Sequence, residues 1–243
     1  MAALFAFGAW TAVGFATLHR VDQHQGFAFT GARLVVSASD GAIHVTAGQA
    51  GRVELDTHLH YSQLSPAKPS VRMDGDRLIL KDGCRHVMNV FCVTSYDLRV
   101  PAQLALHVTT SDGAVTVSGI SGDLDLHTAD GGITADGASG RLQLRTSDGA
   151  VIARDLHSTT VAATTSDGRV LLSFLVDPDT VNAHTSDGSL RITVPRDDTA
   201  YQVVAATSDG SRTVDVNTNA TSPRTISART SDGPVSVVRA AAS

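Results

Sequence analysis

One tetrapeptide, Thr-Ser-Asp-Gly, returns along this chain at a near-constant interval, and it constrains the fold more than any other feature. It stands at Thr110-Ser111-Asp112-Gly113 and recurs around Asp130, Asp148, Asp167, Asp187, Asp209 and Asp232, with Ala129 replacing Ser in the second copy. Successive aspartates are 18, 18, 19, 20, 22 and 23 residues apart by subtraction of their numbers. An outlying copy, Ala38-Ser39-Asp40-Gly41, comes earlier. Self-similarity at this period marks an array in which each unit buries its apolar stripe against its neighbours.

The unit has internal grammar. Six residues before each Asp sits an aliphatic: Leu106, Leu124, Leu142, Val161, Val181, Val203 and Ile226, with Leu34 in the early copy. Four before come Val108, Leu126, Leu144, Ala163, Ala183, Ala205, Ala228 and Val36, and two before comes Thr in all seven main copies. Alternation of this kind puts one set of side chains inward and the other, including His127, Arg145, His184 and Arg229, outward. It resumes after the turn at pairs such as Val115/Val117 and Val170/Leu172, but the sixth copy carries Arg212 at the first of these positions. Each unit therefore reads as strand, tight turn, strand, loop. Asp-Gly between strands fits an antiparallel hairpin meander. It fits equally the corner of a solenoid in which each residue stacks on its counterpart one coil along, and the like-on-like matching favours this second arrangement. Gly is expected at positive φ, at Gly149 and Gly168 among others, and Asp is expected to accept a backbone N–H just ahead of it. The inward Thr hydroxyl needs a partner, either a backbone group or the Thr one repeat away.

The position four before Asp tapers from Val and Leu to Ala while the repeats lengthen. Dense interiors leave no empty space, so Phe174, beyond the second strand of its repeat, is expected to turn inward against Ala163 and Ala183.

The first stretch, Ala2 to Leu18, is apolar apart from Thr11 and Thr17. It stands at the short limit of a membrane span. A membrane anchor, a cleaved signal and a hydrophobic start to the fold all fit, the anchor best; either export reading puts the repeats outside the cytoplasm. The expected organisation is an anchor or signal segment at 1–20, a short stalk at 21–30, an irregular β part at 31–101 and the array at 102–240. Cys84 and Cys92 are the two cysteines of the chain. In an exported protein so close a pair reads as a disulfide across an irregular loop, with buried free thiols as the alternative.

Leu98-Arg99-Val100-Pro101, followed by alternating strands and Thr-Ser-Asp-Gly-Ala-Val-Thr-Val-Ser-Gly-Ile-Ser-Gly-Asp-Leu, resembles the bacterial DUF4097 family, also labelled putative adhesins or β-strand repeat proteins. The resemblance covers about residues 30 to 240. It implies an extracytoplasmic β-repeat domain, often behind a membrane anchor, with no established catalytic residues, and some relatives are associated with envelope stress.

The aspartates at 40, 112, 130, 148, 167, 187, 209 and 232 form a row that offers oxygen ligands to calcium, yet turn capping accounts for each of them. His58 and His60 share a strand face and could hold a metal with a third ligand, but none is obvious and a solvated face is the expected reading. A polysaccharide-cleaving β-helix needs clustered carboxylates, and Asp123, Asp125, Asp136 and Asp155 do not recur as a cluster. A net charge of −5 argues against a nucleic-acid binder. The expectation is therefore an all-β, β-solenoid or β-helix-like protein of about seven two-strand repeats, with an irregular N-terminal cap and an N-terminal transmembrane helix. It is expected to be non-catalytic, without cofactor or metal. It would act as a membrane-anchored envelope scaffold or adhesin-like surface for an unknown protein or envelope polymer, with outward residues such as Arg99, His127, Arg145, His184 and Arg229 meeting the partner. The alternative is a polysaccharide-binding or polysaccharide-cleaving β-helix.

Overall fold

Short β-branched and aliphatic residues alternating with polar ones, broken every nine or ten residues by Gly or Asp, favour strands over helices throughout. A computed structural model describes residues 18–62, 68–84 and 92–241, and among these all regular structure is strand. Of the segment expected as anchor or signal at 1–20, residues 1–17 lie outside the described residues, and Leu18, His19 and Arg20 belong to a strand instead. No helix among the described residues is long and apolar enough to cross a membrane.

The N-terminal strands are β1 (Leu18–Ala28), β2 (Arg33–Ala38), β3 (Ala42–Gly48), β4 (Arg52–Ser62), β5 (Ser70–Asp74), β6 (Arg77–Lys81) and β7 (Cys92–Pro101). The array follows as β8 (Ala105–Thr109), β9 (Val115–Ser118), β10 (Leu124–His127), β11 (Ile133–Asp136), β12 (Leu142–Arg145), β13 (Val151–Leu156), β14 (Thr160–Thr164) and β15 (Val170–Phe174). It closes with β16 (Thr180–His184), β17 (Leu190–Val194), β18 (Ala200–Ala206), β19 (Arg212–Asp215), β20 (Asn217–Thr218), β21 (Thr225–Arg229) and β22 (Val235–Arg239).

Two eleven-stranded sheets result, ordered β1-β4-β7-β3-β9-β11-β13-β15-β17-β22-β19 and β20-β18-β21-β16-β14-β12-β10-β8-β2-β6-β5. Each repeat gives one strand to each sheet, so the Thr-Ser-Asp-Gly turn is a corner between sheets and not a hairpin. Pairing inside the array is parallel and in register: Leu106, Leu124, Leu142 and Val161 form one inward row, and Val115, Ile133, Val151 and Val170 face them from the other sheet. These residues are almost fully buried in one continuous core. The early copy joins the same stack, with Leu34 against Leu106 and Ile43 against Val115.

Three features depart from the sequence reading. The segment expected as a stalk at 21–30 is mostly strand: β1 pairs with β4 antiparallel from Leu18 to Ala28, because Val21 and Phe27 alternate with polar residues and so present an apolar side to the sheet. The coils also do not stack in chain order. The last repeat, β21–β22, inserts between the fifth and the sixth, so that β16 and β18 flank β21 and β17 and β19 flank β22. The sixth repeat thus ends the stack. This explains Arg212, which is exposed there with nothing apolar to cover it.

The third departure concerns glycine. Gly149 and Gly168 are not at positive φ; among the eight Asp-Gly copies read from the sequence, those at Gly41 and Gly233 are. Close approach is what demands glycine: a Cβ on Gly149 would stand 2.0 Å from the Gly131 carbonyl oxygen, and one on Gly168 would stand 1.9 Å from that of Gly149. The taper is met as a packing requirement. Phe174 is 3% exposed and pairs across from Leu156, another buried residue, while Leu175 is 56% exposed.

Candidate interaction surface

The turns stack into a ladder along one edge, and its rungs are cross-linked by threonine. Thr146 donates through Oγ1 toward the carbonyls of Ala129 and Gly131, at 3.0 and 2.8 Å, and accepts the Gly149 N–H at 3.2 Å. Thr128 and Thr165 repeat this pattern. The inward hydroxyl therefore finds backbone one coil away, one of the two partners foreseen for it. Threonine, not aspartate, also caps the turn. Among the described residues, none of Asp112, Asp130, Asp148, Asp167, Asp187, Asp209 and Asp232 is seen to accept a backbone N–H.

Their carboxyls instead face one another. Parallel stacking brings like groups together at the interstrand spacing of roughly 4.8 Å. A hydrogen bond to Asp167, then partial desolvation and the charges of Asp130 and Asp167, raise the Asp148 carboxyl above its ordinary value. Asp187 is raised likewise, first by a hydrogen bond to Asp232. Such a bond requires a proton on one partner, so ionisation is disfavoured at Asp148 and Asp187.

One rung escaped the sequence reading. Leu78 and Leu80 of β6 pair with Val36 and Ala38 of β2, which sets Asp82-Gly83 beside Asp40-Gly41. Its flanks hid it, since Leu80 occupies the position where the main copies have Thr. Just beyond this rung, Cys84 is joined to Cys92 by a disulfide with Cα atoms 6.1 Å apart.

The outward candidates divide between the sheets. His127, Arg145, His184 and Arg229 fall in one exposed row on the second sheet, linked through Thr164. The row runs beside the acidic ladder because each of its members lies three residues before a turn Asp. Arg145 stands 3.9 Å from Asp125, and Arg229 hydrogen-bonds Ser227. Arg99 belongs to the first sheet and pairs with Asp56 at 3.1 Å.

That first sheet carries a network across β1, β4 and β7. His58 bridges Asp22 at 2.6 Å and Asp97 at 3.1 Å, and His24 meets Asp56 at 2.6 Å. The bond to Asp22 raises the His58 pKa above 6.5, while the same bond holds Asp22 below its ordinary value and His24 does so for Asp56. His58 is thus tied up in carboxylates. Among the described residues, no group of three His, Cys, Asp or Glu is arranged to hold a metal. The carboxylates weighed for glycoside chemistry lie apart: Asp123 precedes and Asp125 lies in β10 of the second sheet, while Asp136 and Asp155 lie in β11 and β13 of the first. Asp125 meets His107 at 2.9 Å, and Asp136 meets Arg154 at 3.9 Å.

The pattern of the Toastrack DUF4097 family matches residues 98–239. Solved structures share the fold. The chain resembles a putative adhesin from Parabacteroides distasonis ATCC 8503 with a TM-score of 0.54 and 9% identity, covering 93% of this chain and 98% of that one. It resembles a putative adhesin from Parabacteroides merdae ATCC 43184 with a TM-score of 0.51 and 9% identity, covering 89% and 96% respectively. No curated protein matches the sequence.

Proposed function

Since the chain belongs to the Toastrack DUF4097 family, we propose that it is a non-catalytic interaction module, held outside the cytoplasm behind an N-terminal membrane anchor, whose second sheet engages an anionic envelope polymer or protein. The registered row His127, Arg145, His184 and Arg229 carries this reading. Parallel stacking repeats basic groups at the strand spacing along a rigid surface, which suits a partner with repeating negative charge. The disulfide between Cys84 and Cys92 supports an oxidising compartment, and the apolar run from Ala2 to Leu18 supports an anchor. In this reading the apolar run ahead of β1 anchors the chain, and everything from β1 onward is the module.

The test is binding of the full chain to isolated cell envelopes. Saturable binding that weakens with salt and is lost in Arg145→Glu/Arg229→Glu supports the reading. Binding that survives both charge reversals and high salt would remove it. Protease added to intact spheroplasts should digest the repeats; full protection of a cytosolic, soluble protein would refute export.

A further inference from the structure

The aspartate ladder begins at a cleft. Its first rungs in space are Asp82, Asp40 and Asp112, in that order, because β6, β2 and β8 are consecutive in the second sheet. Beneath the Cys84–Cys92 disulfide the three carboxylates and Thr94 line a cleft of about 380 Å³. Val93, 53% exposed, supplies part of an apolar wall.

Asp82 is 8% exposed. Its recorded hydrogen bond is from the Cys84 backbone N–H at 3.3 Å, and no Lys, Arg or His among the described residues pairs with it. Five buried side-chain polar atoms among the described residues have no hydrogen-bond partner: Thr94 Oγ1 belongs to a residue lining this cleft, and two more, Tyr96 OH and Thr110 Oγ1, belong to residues packed against glycines that line it. Their residues are 4%, 0% and 3% exposed. Thr94 faces the cleft directly. The Tyr96 ring comes within 3.1 Å of where a Gly41 Cβ would stand, and Thr110 Oγ1 within 3.1 Å of where a Gly113 Cβ would stand; both glycines line the cleft. Burial, followed by the charges of Asp82 and Asp40, raises the Tyr96 pKa. Elsewhere on the ladder the turn threonines are satisfied by the previous coil, so Thr110 is the exception at its start.

A buried carboxylate that no cation among the described residues meets, and a buried hydroxyl that none of them hydrogen-bonds, are each costly. A group that satisfies them together must be positively charged and carry several N–H donors. A primary ammonium has three donors and a compact charge; a metal ion would require convergent ligands that the described residues do not provide.

We propose that this cleft is a binding site for the protonated primary amine of a small molecule, the ammonium donating to Asp82 and to the hydroxyl of Thr94, with Asp112 adding charge at the rim. The site is separate from the basic row and stands whether or not that row binds a polymer.

The experiment is an amide chemical-shift titration of the oxidised full chain in mild detergent. The probes are n-butylamine, glucosamine, Nα-acetyl-lysine and butyltrimethylammonium. Saturable shifts at Asp82, Thr94 and Asp112 are expected with the primary amines, and the tightest of the three names the source. The quaternary probe, equal in charge but lacking N–H donors, should bind at least about tenfold more weakly, a difference of about 1.4 kcal/mol. Asp82→Asn should weaken the amines by a similar factor. Thr94→Val keeps the side-chain volume and should weaken them several-fold at an unchanged melting temperature, which decides the matter if Asp82→Asn does not fold. No saturable shift, equal binding of the quaternary probe, or unaltered affinity in Thr94→Val would overturn the proposal.

Discussion

Replacing Gly149 by Ala should be far more damaging than replacing Gly137, although Gly137 is the glycine at positive φ. Gly137 sits at φ 65° with nothing within 4 Å of an added Cβ. Its Ala variant bears the left-handed backbone penalty alone, roughly 1–2 kcal/mol. At Gly149 the new methyl would lie 2.0 Å from Gly131 O, 2.5 Å from Gly131 C and 2.8 Å from Gly132 Cα. Relief requires the two coils to part by more than an ångström. Three bonds then stretch beyond use: Asp148 N–H to Ala129 O at 3.1 Å, and Thr146 Oγ1 to Ala129 O and Gly131 O at 3.0 and 2.8 Å. At about 1 kcal/mol net for each bond, with roughly 1–3 kcal/mol for overpacking, the loss is about 4–6 kcal/mol. That approaches the whole stability of a marginal domain, about 5–15 kcal/mol. Urea unfolding of both variants, read at the midpoint with the slope checked for constancy, measures the difference. A Gly149→Ala loss no greater than that of Gly137→Ala would refute close approach as the reason for glycine.

Three further outcomes are expected. Phe174→Ala should cost about 3–5 kcal/mol, against at most about 0.5 kcal/mol for the exposed Leu175→Ala; similar thermal shifts in the two would show that Phe174 does not fill the tapered core. Asp148→Asn should stabilise the protein at neutral pH, since the raised folded-state pKa means that the ionised carboxyl opposes folding. The gain should fade as pH falls toward the ordinary value of 3.8, and a destabilised Asp148→Asn would restore aspartate as a cap. The Asp22–His58 contact should stabilise β1 most between 3.8 and 6.5, because the raised His58 pKa lets the contribution go as pH rises through it and the lowered Asp22 pKa lets it go in acid. Melting of His58→Gln across pH should therefore show its largest deficit in that window, and a pH-independent deficit would count against the ion pair.

What the chain alone determines is local. Side chains alternate across a strand with period two, so the inward set from Leu106 to Val237 and the turn at each Asp-Gly follow from reading along the sequence, as does the early copy at Asp40. A disulfide candidate follows from two close cysteines. Which coil neighbours which does not follow, because that choice is made by residues far apart in sequence. The last repeat lies inside the stack and the sixth outside it since a solenoid must end on a coil that tolerates water, and Arg212 tolerates it. Asp82 is recognisable as a rung only once β6 lies on β2, as its flanks lack the Thr signature. The reason for Gly149 is likewise tertiary: a single chain shows a turn residue, and only the carbonyl of the coil beneath leaves no room for a methyl. Periodicity names the faces; the packing of distant coils decides order, ends and close approach, because those energies exist only between segments that the sequence keeps apart.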